Sequence, residues 1–275
     1  MSVTPHPLAD RTLVISGGSR GIGLAIGMAA ARQGANVVLL AKTDQPHPRL
    51  PGTVHTAAAE IEAAGGRAAA VVGDVRNPED VRRAVEAAVE KFGGVDICVN
   101  NASAIATDPT ESLSPKKFDL MADINIKGSF LLTQACVPYL RTSSNPHVLT
   151  IAPPINMNPH WLGAHPAYTL SKYGMTLLAL GWAAEFATDG IASNCLWPQT
   201  YIATSAVANI SDGELMGSSR SPEIMGDAAA EILSGPSRTT TGHCYIDEDV
   251  LKSAGGYDIS RYGGGDNPIL DMFLD

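Results

Sequence analysis

The sequence predicts one domain built on a doubly wound, parallel α/β sheet, and three observations carry that prediction. Short runs rich in Val, Ile and Leu are continuous rather than alternating, as in strands covered on both faces. Longer stretches with apolar residues at helical spacing lie between them. No linker divides the 275 residues, 45% of which are hydrophobic, which is ample for one large core.

The elements follow in order. Thr12-Leu13-Val14-Ile15 reads as the first strand, and Ile22, Ala25, Ile26, Ala29 and Ala30 mark one face of the helix after it. Val37 to Leu40, Ala69 to Val72, Val95 to Val99, His147 to Ile151 and Ile191 to Leu196 read as further strands, with Cys244-Tyr245-Ile246 as a last one. Residues 43–53, with Pro46, Pro48 and Pro51, read as a surface insertion before a helix around Ala57 to Ala63. Asn77-Pro78-Glu79-Asp80 supplies a cap, a proline at the first helical position and early acids, and Val81, Val85, Ala88, Val89 and Phe92 follow on one face. Ser114-Pro115 and Ser221-Pro222-Glu223 repeat that device. Strand–helix–strand repetition implies right-handed crossovers. The tail after Gly255 is glycine-rich and weakly periodic, and an irregular end is expected there.

With 19 Lys and Arg against 28 Asp and Glu, the formal charge is -9, which argues against a nucleic-acid partner. The adjacent basic pairs Arg82-Arg83 and Lys116-Lys117 read as solvated helix faces. No apolar run approaches the ~18 residues of a membrane span. Residues 1–7 lack a basic and apolar leader pattern, and no lipidation or peroxisomal motif is present, so a cytoplasmic protein is expected. Cys98, Cys136, Cys195 and Cys244 are too widely spaced for a disulfide framework or a zinc site.

The first strand runs into Ser16-Gly17-Gly18-Ser19-Arg20-Gly21-Ile22-Gly23. Between a strand and a helix, such glycines let backbone approach a diphosphate, and the helix N-terminus offers N–H donors. This is the fingerprint of a Rossmann-type dinucleotide site. At the end of the second strand an NAD site places Asp or Glu for the ribose 2′-hydroxyl. Here Ala41-Lys42 stands instead, with no acid before Asp44 and with Arg20 in the glycine loop, a pattern that favours NADP(H). The alternative is that Lys42 is a solvated strand end. The third strand ends in Gly73-Asp74-Val75 and the fourth in Asn100-Asn101-Ala102, polar groups at the edge where open α/β sheets bind ligands. Tyr168 and Lys172 are four residues apart on one helix face, where a cation would lower the phenol pKa and fit it for proton transfer.

Taken together, the glycine motif, Asn100-Asn101-Ala102, Asn125, Tyr168 with Lys172, and Pro198 follow the order and spacing of the short-chain dehydrogenase/reductase family, which this chain resembles over nearly its whole length. Lys42 to Pro48, Pro153 to Pro159 and Leu196-Trp197-Pro198 resemble its hydroxysteroid dehydrogenase-like branch, whose eukaryotic members carry an additional sterol-carrier domain that is not expected in these residues. The resemblance implies that Gly17, Ser19, Arg20, Gly21, Ile22 and Gly23 line the diphosphate and ribose. Lys42 would meet the 2′-phosphate, and Asp74 with Val75 the adenine. Asn101 and Ala102 would pack near the adenosine ribose. Lys172 would hold the nicotinamide ribose and tune Tyr168, Asn125 would position a relay water, and Pro198 and Ile202 would sit by the carboxamide. It also implies a homotetramer or homodimer.

The family's usual serine, thirteen residues before the tyrosine, is replaced by Ile155, and Ile151-Ala152-Pro153 offers no hydroxyl either. Asn156 and Asn158 are candidate amide substitutes. Losing one such donor commonly costs about 10²–10³-fold in turnover. The usual Pro-Gly is Pro198-Gln199, and the usual Asp-Gly-Gly is Asp247-Glu248-Asp249. Met157, Trp161, Leu162, Trp197 and Tyr201 are candidates for an apolar pocket, each also suited to core or interface. The expected function is therefore an NADP(H)-dependent carbonyl–alcohol oxidoreductase acting on a small apolar molecule, with Tyr168 as acid/base and Lys172 and Asn125 beside it. The rivals are a nucleotide-binding protein with little turnover and, more remotely, a sugar-nucleotide epimerase.

Overall fold

Seven apolar runs become the seven strands of one parallel sheet, in the order β3-β2-β1-β4-β5-β6-β7. The computed structural model describes residues 6–46 and 52–275, so part of the expected insertion, 47–51, lies outside the described residues. The strands are β1 (Thr12–Ser16), β2 (Asn36–Ala41), β3 (Arg67–Val72), β4 (Ile97–Asn100), β5 (His147–Ile151), β6 (Ala192–Trp197) and β7 (Cys244–Ile246). The helices are α1 (Gly21–Arg32), α2 (Val54–Ala63), α3 (Pro78–Phe92), α4 (Pro115–Met121), α5 (Ser129–Leu140), α6 (Pro159–Ala164), α7 (Pro166–Glu185), α8 (Ser205–Ile210), α9 (Glu223–Ser234) and α10 (Asp247–Ala254). A π-helical turn, Ala122–Gly128, joins α4 to α5.

The continuous apolar runs have the burial they implied. Every residue of β1, β2, β4, β5 and β6 is buried, whereas the edge strands β3 and β7 are partly exposed. Side chains alternate between the two faces. Leu13 and Ile15 join Ile26 and Ile224 on one side, and Val14 joins Val85, Leu132 and Trp182 on the other. Each buried aliphatic side chain of this kind contributes about 1.5–3 kcal/mol.

The local signals hold with one exception. The Asn77 side chain accepts from Glu79 N and the Ser114 hydroxyl from Lys117 N, as their sequences indicate. Ser221 does not cap α9. Pro222 already has helical angles (φ -59°, ψ -18°), so the Ser221 carbonyl rather than its hydroxyl takes the Ile224 N–H. Arg82 pairs with Glu79 and Glu86, and Arg83 with Asp80, on an exposed face. The four cysteines are free thiols. No helix among the described residues is long and apolar enough to cross a membrane.

Strands on either side of the β1–β4 junction were laid down in opposite directions, and such a reversal opens a crevice at the carboxyl ends of the strands. The tail after Gly255 returns to that edge. Leu270 bridges Thr200, and Met272 and Phe273 are buried.

His147 opens β5 with its side chain buried. Its Nε2 donates to the Gly235 carbonyl (3.1 Å) while Nδ1 has no partner, and burial pulls its pKa down to about 4. The native state therefore keeps a neutral imidazole. Its stabilising effect is complete above the ordinary value of 6.5 and is lost as pH falls from there towards 4, by up to about 3 kcal/mol. His147→Gln keeps a donor but does not titrate. In urea unfolding it should lose less stability than the wild type between about pH 7 and pH 5, and equal losses would remove His147 as a source of acid sensitivity.

Candidate functional site

A cleft of about 900 Å³ runs along the carboxyl edge of the sheet. Its walls bring together Gly17, Ser19, Arg20, Gly21, Ile22, Lys42, Asp74, Val75, Asn101, Ala102, Tyr168, Lys172, Pro198 and Ile202. Two expected residues are not in its walls. Gly23 lies beneath it in the first turn of α1, and Asn125 is fully buried behind it.

The glycine turn is held by the end of β4. Ser16 Oγ accepts from the N–H groups of Asn101 (3.2 Å) and Ala102 (3.1 Å), and the Asn101 amide donates to the carbonyls of Ser16 (3.0 Å) and Gly17 (3.1 Å). A Cβ on Gly23 would stand 2.5 Å from Asn101 Nδ2 and 2.7 Å from the Gly17 carbonyl oxygen, so no side chain fits there. Gly17 has φ +70°, a backbone state that L side chains rarely adopt. Helix α1 starts at the cleft without a side-chain cap and without an acid in its first turn, an arrangement that suits an anion. Neighbouring Asn100 turns inward and donates to Thr133 Oγ1 at 2.9 Å.

At the end of β2 and β3, Lys42 Nζ lies 3.6 Å from Asp74 Oδ2. Arg76 grips the same carboxylate through Nε (3.0 Å) and Nη2 (2.6 Å), and that contact holds the Asp74 pKa down at about 2. A carboxylate has room for a further donor, so Asp74 stays usable as an acceptor. No spacing rule pointed to Arg76. Arg20 reaches across the mouth, where Nη2 donates to the Gly52 carbonyl at 2.7 Å.

At the opposite end Tyr168 and Lys172 project from α7, 6% and 2% exposed. Lys172 Nζ donates to the Ile151 carbonyl (2.6 Å), approaches Met175 Sδ (3.5 Å) and lies 5.0 Å from the centre of the Trp197 ring. Burial brings its pKa down to about 8. Burial also pushes the Tyr168 phenol well above its ordinary range, and the Asp271 carboxylate and Tyr201 push it further. The expectation that Lys172 depresses the phenol pKa is thus corrected for this arrangement. Desolvation penalises both charged forms, and the ammonium is turned to a backbone carbonyl.

Asn125 occupies the π-helical turn, a local widening often found at functional sites. Its Oδ1 accepts from Ala104 N (2.7 Å), and its Nδ2 donates to the Ala104 carbonyl (3.0 Å) and Ser171 Oγ (2.9 Å). This side chain fastens the loop after β4 to the helix that carries Tyr168. Gly174 lets Ile126 pack against α7, since a Cβ there would stand 2.8 Å from the Ile126 side chain.

The groups offered in place of the serine are engaged elsewhere. Asn156 donates to the Phe273 carbonyl (3.0 Å) and Asp275 (2.9 Å), Asn158 accepts from His160 N (3.0 Å), and neither lines the cleft. Ile155 lies outside it as well, and Thr150 is buried against Asn100. Of the candidate apolar wall, Trp197 and Tyr201 line the cleft. Met157 is 68% exposed, and Trp161 and Leu162 pack beside Phe273 instead, because the tail fills the space they were expected to face. Asp271 and Met272, from the tail, complete the wall; no periodicity marked them.

The model of the family described as "short chain dehydrogenase" matches residues 11–215. Hydroxysteroid dehydrogenase-like protein 2 of Danio rerio is 51% identical over 270 residues, covering 98% of this chain and 65% of that protein, so the chain spans less than two thirds of that relative's length. A putative dehydrogenase from Xanthomonas campestris, solved by crystallography, superposes with a TM-score of 0.93 at 49% identity, covering 98% of this chain and 99% of that one. L-Sorbose reductase from Gluconobacter frateurii, solved with NADPH and L-sorbose, gives 0.75 at 25% identity over 88% of this chain and 97% of that one.

Asn125→Ala removes the partner of both Ala104 backbone groups and of Ser171. It should lower unfolding stability by about 2–3 kcal/mol in a urea titration, and a loss below about 0.5 kcal/mol would show that the turn holds without it.

Proposed function

The chain belongs to the short-chain dehydrogenase family, and from that premise we propose that it is an NADP(H)-dependent oxidoreductase that interconverts a carbonyl and a secondary alcohol on an apolar substrate. The observation that carries the proposal is one cleft with the glycine turn and Lys42 at one end and buried Tyr168 and Lys172 at the other. The residues fit a dinucleotide. The crowding at Gly17 and Gly23 keeps the turn clear of side chains, and no side chain caps the start of α1. Gly17, Ser19, Arg20, Gly21 and Ile22 would hold the diphosphate and ribose, with Gly23 leaving room for the turn beneath them, Asp74 and Val75 the adenine, Asn101 and Ala102 the adenosine ribose, and Pro198 and Ile202 the nicotinamide. Lys42 would meet the 2′-phosphate. Asp44, the first carboxylate after β2 in sequence, is held by His55 (2.8 Å) and Gln45 (3.3 Å) and lies outside the cleft walls, which supports NADP.

When bound, NADPH would supply the hydride equivalent, two electrons with one proton, that the carbonyl carbon needs. Tyr168 gives its proton to the carbonyl oxygen. A phenol pushed upward by burial holds that proton at neutral pH, which supplies the protonated form but makes it a weaker acid. Lys172, brought down to about 8 yet still mostly an ammonium at pH 7, would hold ribose hydroxyls and bring positive charge to the phenol. Asn125 fixes α7, and with it the height of Tyr168 over the cleft. Trp197, Tyr201, Ile105 and Met272 make the substrate end mainly apolar. On the outside, Phe118, Phe130, Leu170 and Leu177 leave an apolar face on α4, α5 and α7, which suits a homodimer or homotetramer.

Tyr168→Phe should cut carbonyl reduction by about 10³-fold while NADPH affinity, read by fluorescence titration, stays within about threefold. NADPH binding by the wild type with no turnover of any ketone in a broad panel would sink the oxidoreductase reading. Lys42→Glu should lower the ratio of NADPH to NADH affinity by about tenfold or more, and an unchanged ratio would show that Lys42 does not read the 2′-phosphate.

A further inference from the structure

The tail contributes a carboxyl group to the reaction end of the cleft, and nothing in the usual pattern of such sites accounts for it. Asp271 lies in the same wall as Tyr168, Lys172, Trp197 and Tyr201, and it is 8% exposed. Its backbone is fixed by a bond from its N–H to the Gln199 carbonyl (3.1 Å). Its Oδ1 accepts from the Met272 N–H (2.6 Å), and among the described residues the carboxyl makes no other hydrogen bond and no ion pair. The segment is firmly seated. The Phe273 ring packs 5.3–6.2 Å from the rings of Trp161, Tyr168, Tyr173 and Trp197, and Trp197 Nε1 donates to the Met272 carbonyl.

The same wall lacks the hydroxyl that normally assists the tyrosine. β5 contributes only Ile151, and the amides of Asn156 and Asn158 are used in holding the tail. We propose that the carboxylic acid of Asp271 donates a hydrogen bond to the substrate's carbonyl oxygen, sharing with Tyr168 the task usually served by a hydroxyl at the end of the fifth strand. The proposal rests on the oxidoreductase reading above. No bond is made or broken at Asp271: it keeps its own proton, and the proton that the oxygen gains is that of Tyr168.

The surroundings favour the acid form. A buried carboxylate without an ion-pair partner is costly, and such groups take up a proton instead. The charged and titratable groups around Asp271 are Tyr168 and Lys172 on α7, Tyr201 in the loop after β6, and Asp247 at the start of α10. Behind Asp247, Glu248 is paired with Arg220 at 2.8 Å. Burial, reinforced by Asp247 and opposed by Met272 N–H and Lys172, brings the Asp271 carboxyl up to about 7. The donor is thus present below about pH 7 and is lost as pH rises through that value, when a negative charge would stand beside an oxygen that is itself becoming negative.

The test uses the full chain with NADPH and 9,10-phenanthrenequinone, an activated apolar diketone, over about pH 6 to pH 8. Asp271→Leu should lower kcat/KM about 10²-fold at the acid end of the range. Asp271→Asn, which keeps a donor that does not titrate, should stay within about tenfold of the wild type and should not lose activity as pH rises through about 7. NADPH affinity should be unchanged in both. If either folded variant keeps both the wild-type kcat/KM and its pH profile, the proposal is overturned. A second readout does not need turnover. Infrared difference spectra of the NADP⁺-loaded protein should show a protonated-carboxyl band that is missing in Asp271→Asn and moves to lower frequency when the diketone is added. An absent or unmoved band overturns the proposal even if no carbonyl is reduced, whereas a shifted band without turnover overturns only the oxidoreductase reading.

Discussion

The cleft depends on the seam between β1 and β4. Four hydrogen bonds cross that junction, two onto the Ser16 hydroxyl from the N–H groups of Asn101 and Ala102, and two from the Asn101 amide to the carbonyls of Ser16 and Gly17. Their effect is to hold the glycine turn open against the end of β4, where strand order reverses and no crossover helix covers the edge. If the amide is withdrawn, the Gly17 carbonyl loses a donor and the close approach at Gly23 loses its reason. The site thus begins with a packing requirement: backbone must come within hydrogen-bond distance of backbone and amide, and only glycines leave the room.

Desolvation dominates the other end. Lys172 and Tyr168 are buried with few polar partners, so the ammonium is brought down and the phenol is pushed up. That direction is opposite to what their spacing on a helix suggests for a pair in mutual contact. Spacing places two groups on one face but does not say whether they point at each other, and here a carbonyl and an indole ring take the cation. The same burial gives the site its sensitivity to any charge placed nearby, because interactions in a water-poor region are screened weakly.

The tail binds these regions into one wall. Phe273 adopts a left-handed backbone (φ 73°), an uncommon state for a bulky residue, and four aromatic rings around it hold it there. Asn156, which looked available for catalysis, is committed to keeping this segment in place. The loop after β5 and the weakly periodic tail are therefore held together, each fixed by the other.

Much of this was legible in the residues themselves. The five inner strands follow from continuous apolar runs, because a strand covered on both faces has no solvent side to interrupt it, and β3 and β7 extend the same pattern to the sheet edges. The glycine turn, the position of Lys42 at a strand end and the Tyr168–Lys172 spacing were legible because each is a pattern within a few residues, whereas Asn125 was legible only through the family resemblance. Tertiary structure alone decided what depends on distant partners: that Arg76 and Lys42 share Asp74, that Asn125 ties Ala104 to Ser171, and that Asp271 returns to the cleft from the far end of the chain. Those pairings join residues whose sequence separation carries no period, and the protonation of each depends on how much water the assembled fold excludes.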